Sequence, residues 1–521
     1  MKAQHTKQQG YVSQAQCGYD TTMKKLSRFS PLRKLLVFAL STTLASTSVS
    51  AGLPDLGDNS EAAFNSTQER ALGQKIMREI RADRDYLDDP ELSEYLHTLG
   101  GRLVSNAQSA RDQFEFFFVR DNSINAFALP GGYVGINSGL VLAAQSESEL
   151  ASVLAHEITH VTQRHIARQI AGSENTNLIA SVAVLAALIL AARTNSQAGQ
   201  AAVATSQGLA IQNQLDYTRE HEREADRIGL QLLEKSGFDP RGMASFFDRL
   251  QKSTRFQESN APSYLRTHPL NTERIADVQN RVQKSPVKIV ADSLDFQLVR
   301  AKLRAQAGAA KEAFHYFDAT AANKSTANFY DATTANKSAA QYYGTALALL
   351  RLREFDRAEK EITAARKFAN HPMLDHLAAQ IKRDSGDQSA ALEILRTGLK
   401  SAPQNRALNY AYIDTLLAAK QNDLALKAVS ERLASVQDDY RLYELQAKSY
   451  AALGKKLPQH QAQAEAYIRQ EKLQAAMEQL QLAVKSADSD FYQVSAAEAR
   501  IKQLKLQLEE DEKENKRSRK Q

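Results

Sequence analysis

Three short stretches in the C-terminal half limit what this chain can fold into more than any other feature. FDRAEKEI around Ala358, QSAALEIL around Ala390 and DLALKAV around Ala425 share an apolar spacing, at separations of 32 and 35 residues. A period near 34 in an Ala- and Leu-rich stretch with few Pro and Gly predicts stacked helix pairs, none of which buries its apolar face alone. Turn residues fall where such pairs need them. Gly386-Asp387 and Gln421-Asn422 lie within pairs, and Asn370 to Pro372 and Pro403 lie between them. Residues 296–500 are therefore expected to form a helical solenoid with a concave surface suited to protein partners. A further repeat is expected over 440–486, with an insertion around Lys455 to Gln463. DATAANKS at 318–325 recurs as DATTANKS at 331–338, which reads as a short duplication in a loop between helices. Residues 505–521 are almost all charged or polar and read as a disordered tail.

Composition closes several other routes. One Cys in 521 residues excludes a disulfide scaffold, a cysteine zinc site and an iron–sulfur cluster. The formal charge of +6 is concentrated at the N-terminus, where residues 1–51 hold seven Lys or Arg and only Asp20 among acids. The remainder is neutral, so the basic balance gives no argument for nucleic acid. Five cations in 24–34, the apolar run LLVFALSTTLA at 35–45 and the small residues Val49-Ser50-Ala51 have the order of a secretory signal cleaved near Ala51/Gly52. The apolar run is short for a membrane span of about 20 residues. Residues 1–22 precede that signal and fit a start at Met23; the lone Cys17 lies within them. Removal of 1–51 leaves an exported chain without thiols, which suits an oxidising compartment.

Residues 60–290 are expected to form a mainly helical domain with one small strand-rich patch. QFEFFFV at 113–119 and GYVGIN at 132–137 have strand character, separated by the turn signal Pro130-Gly131-Gly132. Ser146-x-x-Glu149 reads as a capping box opening a helix through Ala171. That helix carries His156-Glu157-Ile-Thr-His160. Residues four apart share a helical face, so the two imidazoles can chelate one metal ion, with zinc the best match. Glu157 stands where it can take a proton from water attacking a carbonyl and pass it to the leaving amine. His165, at i+5 from His160, reads as a capping or supporting histidine and not a ligand. A third ligand must come from elsewhere. In Glu220-His-Glu-Arg-Glu-Ala-Asp226 the carboxylates of Glu222 and Asp226 share a face, so one can bind metal while the other orients a ligand histidine. Spacing alone does not choose among Glu220, Glu222 and Glu224.

His156-Glu157-x-x-His160 followed by Glu222-x-x-Ala225-Asp226 resembles the zinc peptidase family of the CAAX prenyl protease and HtpX type. The resemblance covers most of the chain after the signal. It implies a zincin-like metallopeptidase fold holding one zinc per chain, with Glu222 as third ligand and Asp226 supporting the site. It also implies that Asn125, Ala126, Phe127 and Ala128 belong to an edge strand that pairs with extended substrate backbone. Thr267-His268-Pro269 resembles a family segment too, and His268 reads equally as a loop histidine capping the next helix or as a fourth, self-inhibiting ligand that reaches the zinc. An export signal and a tetratricopeptide-like array mark a periplasmic member, unlike the multispanning relatives. Its implied partners are outer-membrane β-barrel proteins and their assembly machinery. The competing class is a non-proteolytic assembly factor with a structural zinc site; an intact Glu157 argues against it. The uncharged run 178–192 is too short to span a membrane and reads equally as a buried helix or as an element touching membrane or partner.

Overall fold

The computed structural model describes residues 61, 64–107, 113–171, 219–255, 263–285, 288, 290–321, 332–486 and 491–518. The expected export signal and the apolar run 178–192 lie outside them. Helix α1 (Ser66–Ala82) opens on a complete capping box, in which the Asn65 side chain accepts from Gln68 N–H and Gln68 accepts from Asn65 N–H. Helix α2 (Pro90–Val104) opens on Asp89, with Pro90 at the first helical position, where its missing N–H costs nothing. Leu92, Leu96, Leu99 and Leu103 recur along one face of α2 and are buried. Each such burial is worth about 2 kcal/mol relative to exposure.

Three strands follow: β1 (Glu115–Val119), β2 (Ala126–Leu129) and β3 (Tyr133–Asn137). Their order is β1-β3-β2, with β1 parallel and β2 antiparallel to β3. The alternation of β1 sends Phe116 and Phe118 into the main core and Phe117 and Val119 toward α1. The β2–β3 turn needs glycine. Gly132 has φ 85°, and a Cβ there would meet Gln113 O at 2.4 Å.

Helix α3 (Ser138–Ala143) leads to α4 (Glu147–Thr162), which carries the His-Glu-x-x-His segment. The Ser146 hydroxyl caps α4 at Glu149 N–H, as its sequence predicts. Glu149 reaches back to Gln145 N–H and not to Ser146, so half of the expected box forms. The helix expected to run to Ala171 breaks. Arg164 adopts φ 51° and a separate helix α5 starts (His165–Ala171). Helices α6 (Arg219–Lys235), α7 (Arg241–Arg255), α8 (Ser263–Thr267) and α9 (Thr272–Val282) complete this half. Helix α6 lies close on α4 because Gly229 has no side chain; a Cβ would stand 3.2 Å from His156 N.

The remainder is helical: α10 (Leu294–Gln306), α11 (Ala310–Ala321), α12 (Ala332–Arg351), α13 (Phe355–Phe368), α14 (Pro372–Asp384), α15 (Gln388–Ser401), α16 (Arg406–Ala418), α17 (Asn422–Ser435), α18 (Tyr440–Ala452), α19 (Lys456–Arg469), α20 (Leu473–Val484) and α21 (Phe491–Ser518). Alternate helices begin at Phe355, Gln388, Asn422 and Lys456, and the others at Pro372, Arg406, Tyr440 and Leu473. Successive starts are thus about 33 to 34 residues apart, the period of a tetratricopeptide solenoid. The buried repeat positions are Ala358, Ala391 and Ala425. Ala391 takes the place read from sequence as Ala390, which makes the spacing more regular than the sequence alone suggested.

Two further expectations change. Residues 455–463, expected as an insertion, are the turn and first part of α19, which keeps the period. Residues 505–518, expected as a disordered tail, continue helix α21. Leu504 is buried and Leu508 packs beside it against α20, and the charged residues beyond are strong helix formers. One hydrophobic core runs from Leu87 through α4 and α10 to Ile381, so the two halves share an interior.

Candidate metal centre

The four residues His156, His160, Glu222 and His268 come together from three places in the chain, α4, α6 and the turn after α8. One ligand atom from each lies within 4.8 Å of all the others. All four side chains are buried, at 1% or 2% exposure. His156 Nε2 is 3.0 Å from His160 Nε2 and 3.3 Å from His268 Nδ1. Glu222 places Oε1 3.0 Å from His268 Nδ1 and 3.5 Å from His160 Nε2, and Oε2 3.5 Å from His156 Nε2. Sequence spacing left Glu220, Glu222 and Glu224 open; the fold turns Glu222 inward.

Asp226, one helical turn after Glu222, points at the opposite side of the first histidine, with Oδ1 3.0 Å from His156 Nδ1. Arg274 on α9 grips Asp226 with two hydrogen bonds of 2.6 and 2.8 Å and reaches Glu222 Oε2 at 2.7 Å. Asn271, the residue that caps α9, fixes where Arg274 emerges by accepting from its N–H. Tyr264 stacks on His268, ring centroids 4.7 Å apart, and its backbone N–H donates to Ile124 O just before β2. Sequence reading missed Arg274 and Tyr264. The signal for Arg274 was its place three residues after a capping Asn, close behind Thr267-His268-Pro269.

The electrostatics follow from crowding. Burial disfavours the charge on His156, but hydrogen bonds and charge from Asp226 and Glu222 prevail and raise it to about 9. Burial and then the neighbouring His156 hold His160 well below the usual imidazole range. Glu222 falls well below the carboxylate range despite its burial, because His268 and His156 face it. Asp226 is lowered, against burial, by Arg274 and then His156. Glu222 and Asp226 are thus held ionised beside the imidazoles, the state in which a carboxylate can bind or support a cation.

Glu157 is fully buried, and among the described residues neither carboxylate oxygen finds a hydrogen-bond donor. Oε1 lies 3.4 Å from His268 Nε2. A buried carboxylate with unmet acceptors is costly unless a ligand or water completes it. Converging imidazoles and a carboxylate, with this unsatisfied base beside them, fit a catalytic transition metal. Ala126, Phe127 and Ala128 lie in β2, an outer strand of the three, beside α4. Asn125 immediately precedes it, and its carbonyl accepts from Asn137 N–H on the β3 side.

Residues 90–282 match the model of peptidase family M48. The beta-barrel assembly-enhancing protease of Escherichia coli (strain K12) is 32% identical over 460 residues, 88% of this chain and 92% of that one. A Vibrio cholerae relative is 40% identical over 328 residues, 63% of this chain and 66% of its own length. The solved structure of MamA from Desulfovibrio magneticus covers 33% of this chain and 96% of its own, at 20% identity and a TM-score of 0.26.

Proposed function

Because the chain belongs to the beta-barrel assembly-enhancing proteases of peptidase family M48, we propose that His156, His160 and Glu222 hold one zinc ion in a peptide-cleaving site. The protein is a metalloendopeptidase in outer-membrane β-barrel assembly. The observation that carries the residue assignment is the convergence of four buried donor atoms beside the unsatisfied carboxylate of Glu157.

Bound zinc polarises the scissile carbonyl and acidifies water. Glu157 takes the proton of the attacking water and passes it to the leaving amine. Asp226, braced by Arg274, fixes the ring of His156 so that Nε2 faces the ion. The edge formed by Asn125 and by Ala126, Phe127 and Ala128 of β2 aligns an extended substrate backbone by strand addition. His268 acts as a gate. Its Nδ1 lies among the donor atoms, and a fourth protein ligand closes the position that catalysis needs open.

Residues 60–290 are the cleaving module and 296–500 the recruiting one, which engages unfolded barrel proteins and their assembly machinery in the periplasm. Export depends on the signal before Gly52.

Zinc content and casein cleavage, wild type against Glu157→Gln, test this reading. The variant keeps about one zinc per chain and loses roughly 100-fold or more in cleavage. Neither chain binding zinc would sink the ligand assignment. Zinc in both without cleavage by wild type points to a gated site or to the non-proteolytic assembly role. His268→Ala separates these two, because it raises cleavage only if the gate is real.

A further inference from the structure

The two histidines of α4 are held by different means. His156 Nδ1 faces the carboxylate of Asp226. His160 Nδ1 faces another imidazole, the Nδ1 of His165, at 2.8 Å. In an unbroken helix a residue at i+5 points well away from residue i. His165 returns to His160 because α4 stops at Thr162 and Arg164 takes the left-handed conformation, φ 51°. A side-chain-bearing residue pays for that conformation and keeps it only when its surroundings enforce it. Here they do, since the Arg164 guanidinium donates to Phe64 O at 2.6 Å and to Glu69 at 3.1 Å.

His165 is fully buried. Its ring lies flat on His221, centroids 4.4 Å apart and planes 12° off parallel. Its Nε2 is 3.3 Å from Glu224 Oε2, which also accepts from Arg168 at 2.9 Å. Proton positions follow from elementary chemistry. If His160 gives Nε2 to a metal, its proton sits on Nδ1, which must donate. His165 Nδ1 then accepts, so its own proton sits on Nε2, facing the Glu224 carboxylate.

We propose that His165 is a positioning residue that locks His160 in the tautomer whose Nε2 lone pair faces the metal, and that Glu224 locks His165 in turn. The proposal rests on the reading of His160 as a ligand. It gives the broken end of α4 a purpose, and it joins α5 and α6 to the site through Glu224 as well as Glu222.

Zinc affinity of the full chain, measured by competition with a chelating dye, tests it together with the absorption spectrum of the cobalt-substituted protein. His165→Phe keeps the stacked ring and removes the acceptor. Its zinc affinity falls on the order of 10- to 100-fold and the cobalt bands shift. His165→Asn carries an amide oxygen in place of Nδ1 and recovers most of that loss. A Phe variant that binds zinc as tightly as wild type with an unchanged cobalt spectrum overturns the proposal. So does an Asn variant no better than Phe, which would make the effect one of packing. Should the Phe variant fail to fold, ring-nitrogen NMR of the zinc-loaded wild type decides. It shows His165 protonated at Nε2, and protonation at Nδ1 overturns the lock. A wild-type chain that takes up no zinc overturns the metal assignment itself, whereas a zinc-binding chain with indifferent variants overturns the lock alone.

Discussion

Arg274 shows how much one side chain can hold. It is 3% exposed and neutralises Asp226 and Glu222, which together crowd the histidine cluster. Removing one member of a buried ionic group strands the others in a medium that solvates charge poorly. Arg274→Met therefore lowers the stability of the metal-free chain by about 3 to 5 kcal/mol, read from denaturant melts; a loss under about 1 kcal/mol would show that water reaches Asp226. The histidine pair was legible in the sequence because His156 and His160 obey helical spacing, whereas spacing left Glu222 open among three glutamates and only the family resemblance singled it out. Arg274, Tyr264 and the pairing of His165 with Glu224 were not legible. Their partners lie 48, 4 and 59 positions away, and only the packing of α5, α8 and α9 around α4 selects them. Even Tyr264, whose nearest partner is close in sequence, matters through its stack on His268 and its link to Ile124.

At the scale of elements, the solenoid's period is written in its turns. Arg353, Gly386, Lys420, Gly454 and Glu471 each have positive φ and stand two residues before the helices that begin at Phe355, Gln388, Asn422, Lys456 and Leu473. Each ends a helix in the left-handed conformation that glycine adopts without strain. Two of the five are glycine. Lys420 is exposed, so Lys420→Gly removes backbone strain and little else. It is expected to stabilise the chain by about 0.5 to 1 kcal/mol, and a lowered melting temperature would count against strain at this turn. Sequence reading placed the repeats, the last over 440–486 included, but put an insertion inside that one, because the turn at Gly454 is followed by Lys455-Lys456-Leu457-Pro458, which looks like a loop. Proline is harmless in the first turn of α19, where no intrahelical N–H bond is lost. The helical tail was misread for a similar reason: charge pattern alone does not reveal that Leu504 has α20 to pack against.

Across the whole molecule, the halves are joined by charge as well as by the common core. Glu91 at the start of α2 meets Lys302 of α10 at 2.5 Å and His376 of α14 at 2.8 Å, and Asp89 shares Lys302. Burial opposes the ionised carboxyl, but Lys302 and then His376 dominate and lower it from 4.5 to about 2. A carboxyl whose folded value lies below its unfolded one contributes stability that is full above about pH 4.5. That contribution disappears as pH falls toward 2, and it amounts to at most about 3 kcal/mol. The stability gap between wild type and Glu91→Gln should therefore be widest near neutrality and close between pH 4.5 and 2. A gap independent of pH would place the salt bridge's effect elsewhere.

The seam between the halves has a further consequence. Asp292 caps α4 by accepting from Glu147 N–H, while Glu147 accepts from the N–H and hydroxyl of Ser293, the residue that caps α10. Each helix thus borrows its first polar contacts from the other. A gene fusion that exchanged repeat arrays between relatives at this boundary would have to inherit Asp292 and Ser293 with the array and Glu147 with the protease. Recombination is thereby confined to cuts that keep these three residues matched, and ancestry at this joint should be inherited as a block.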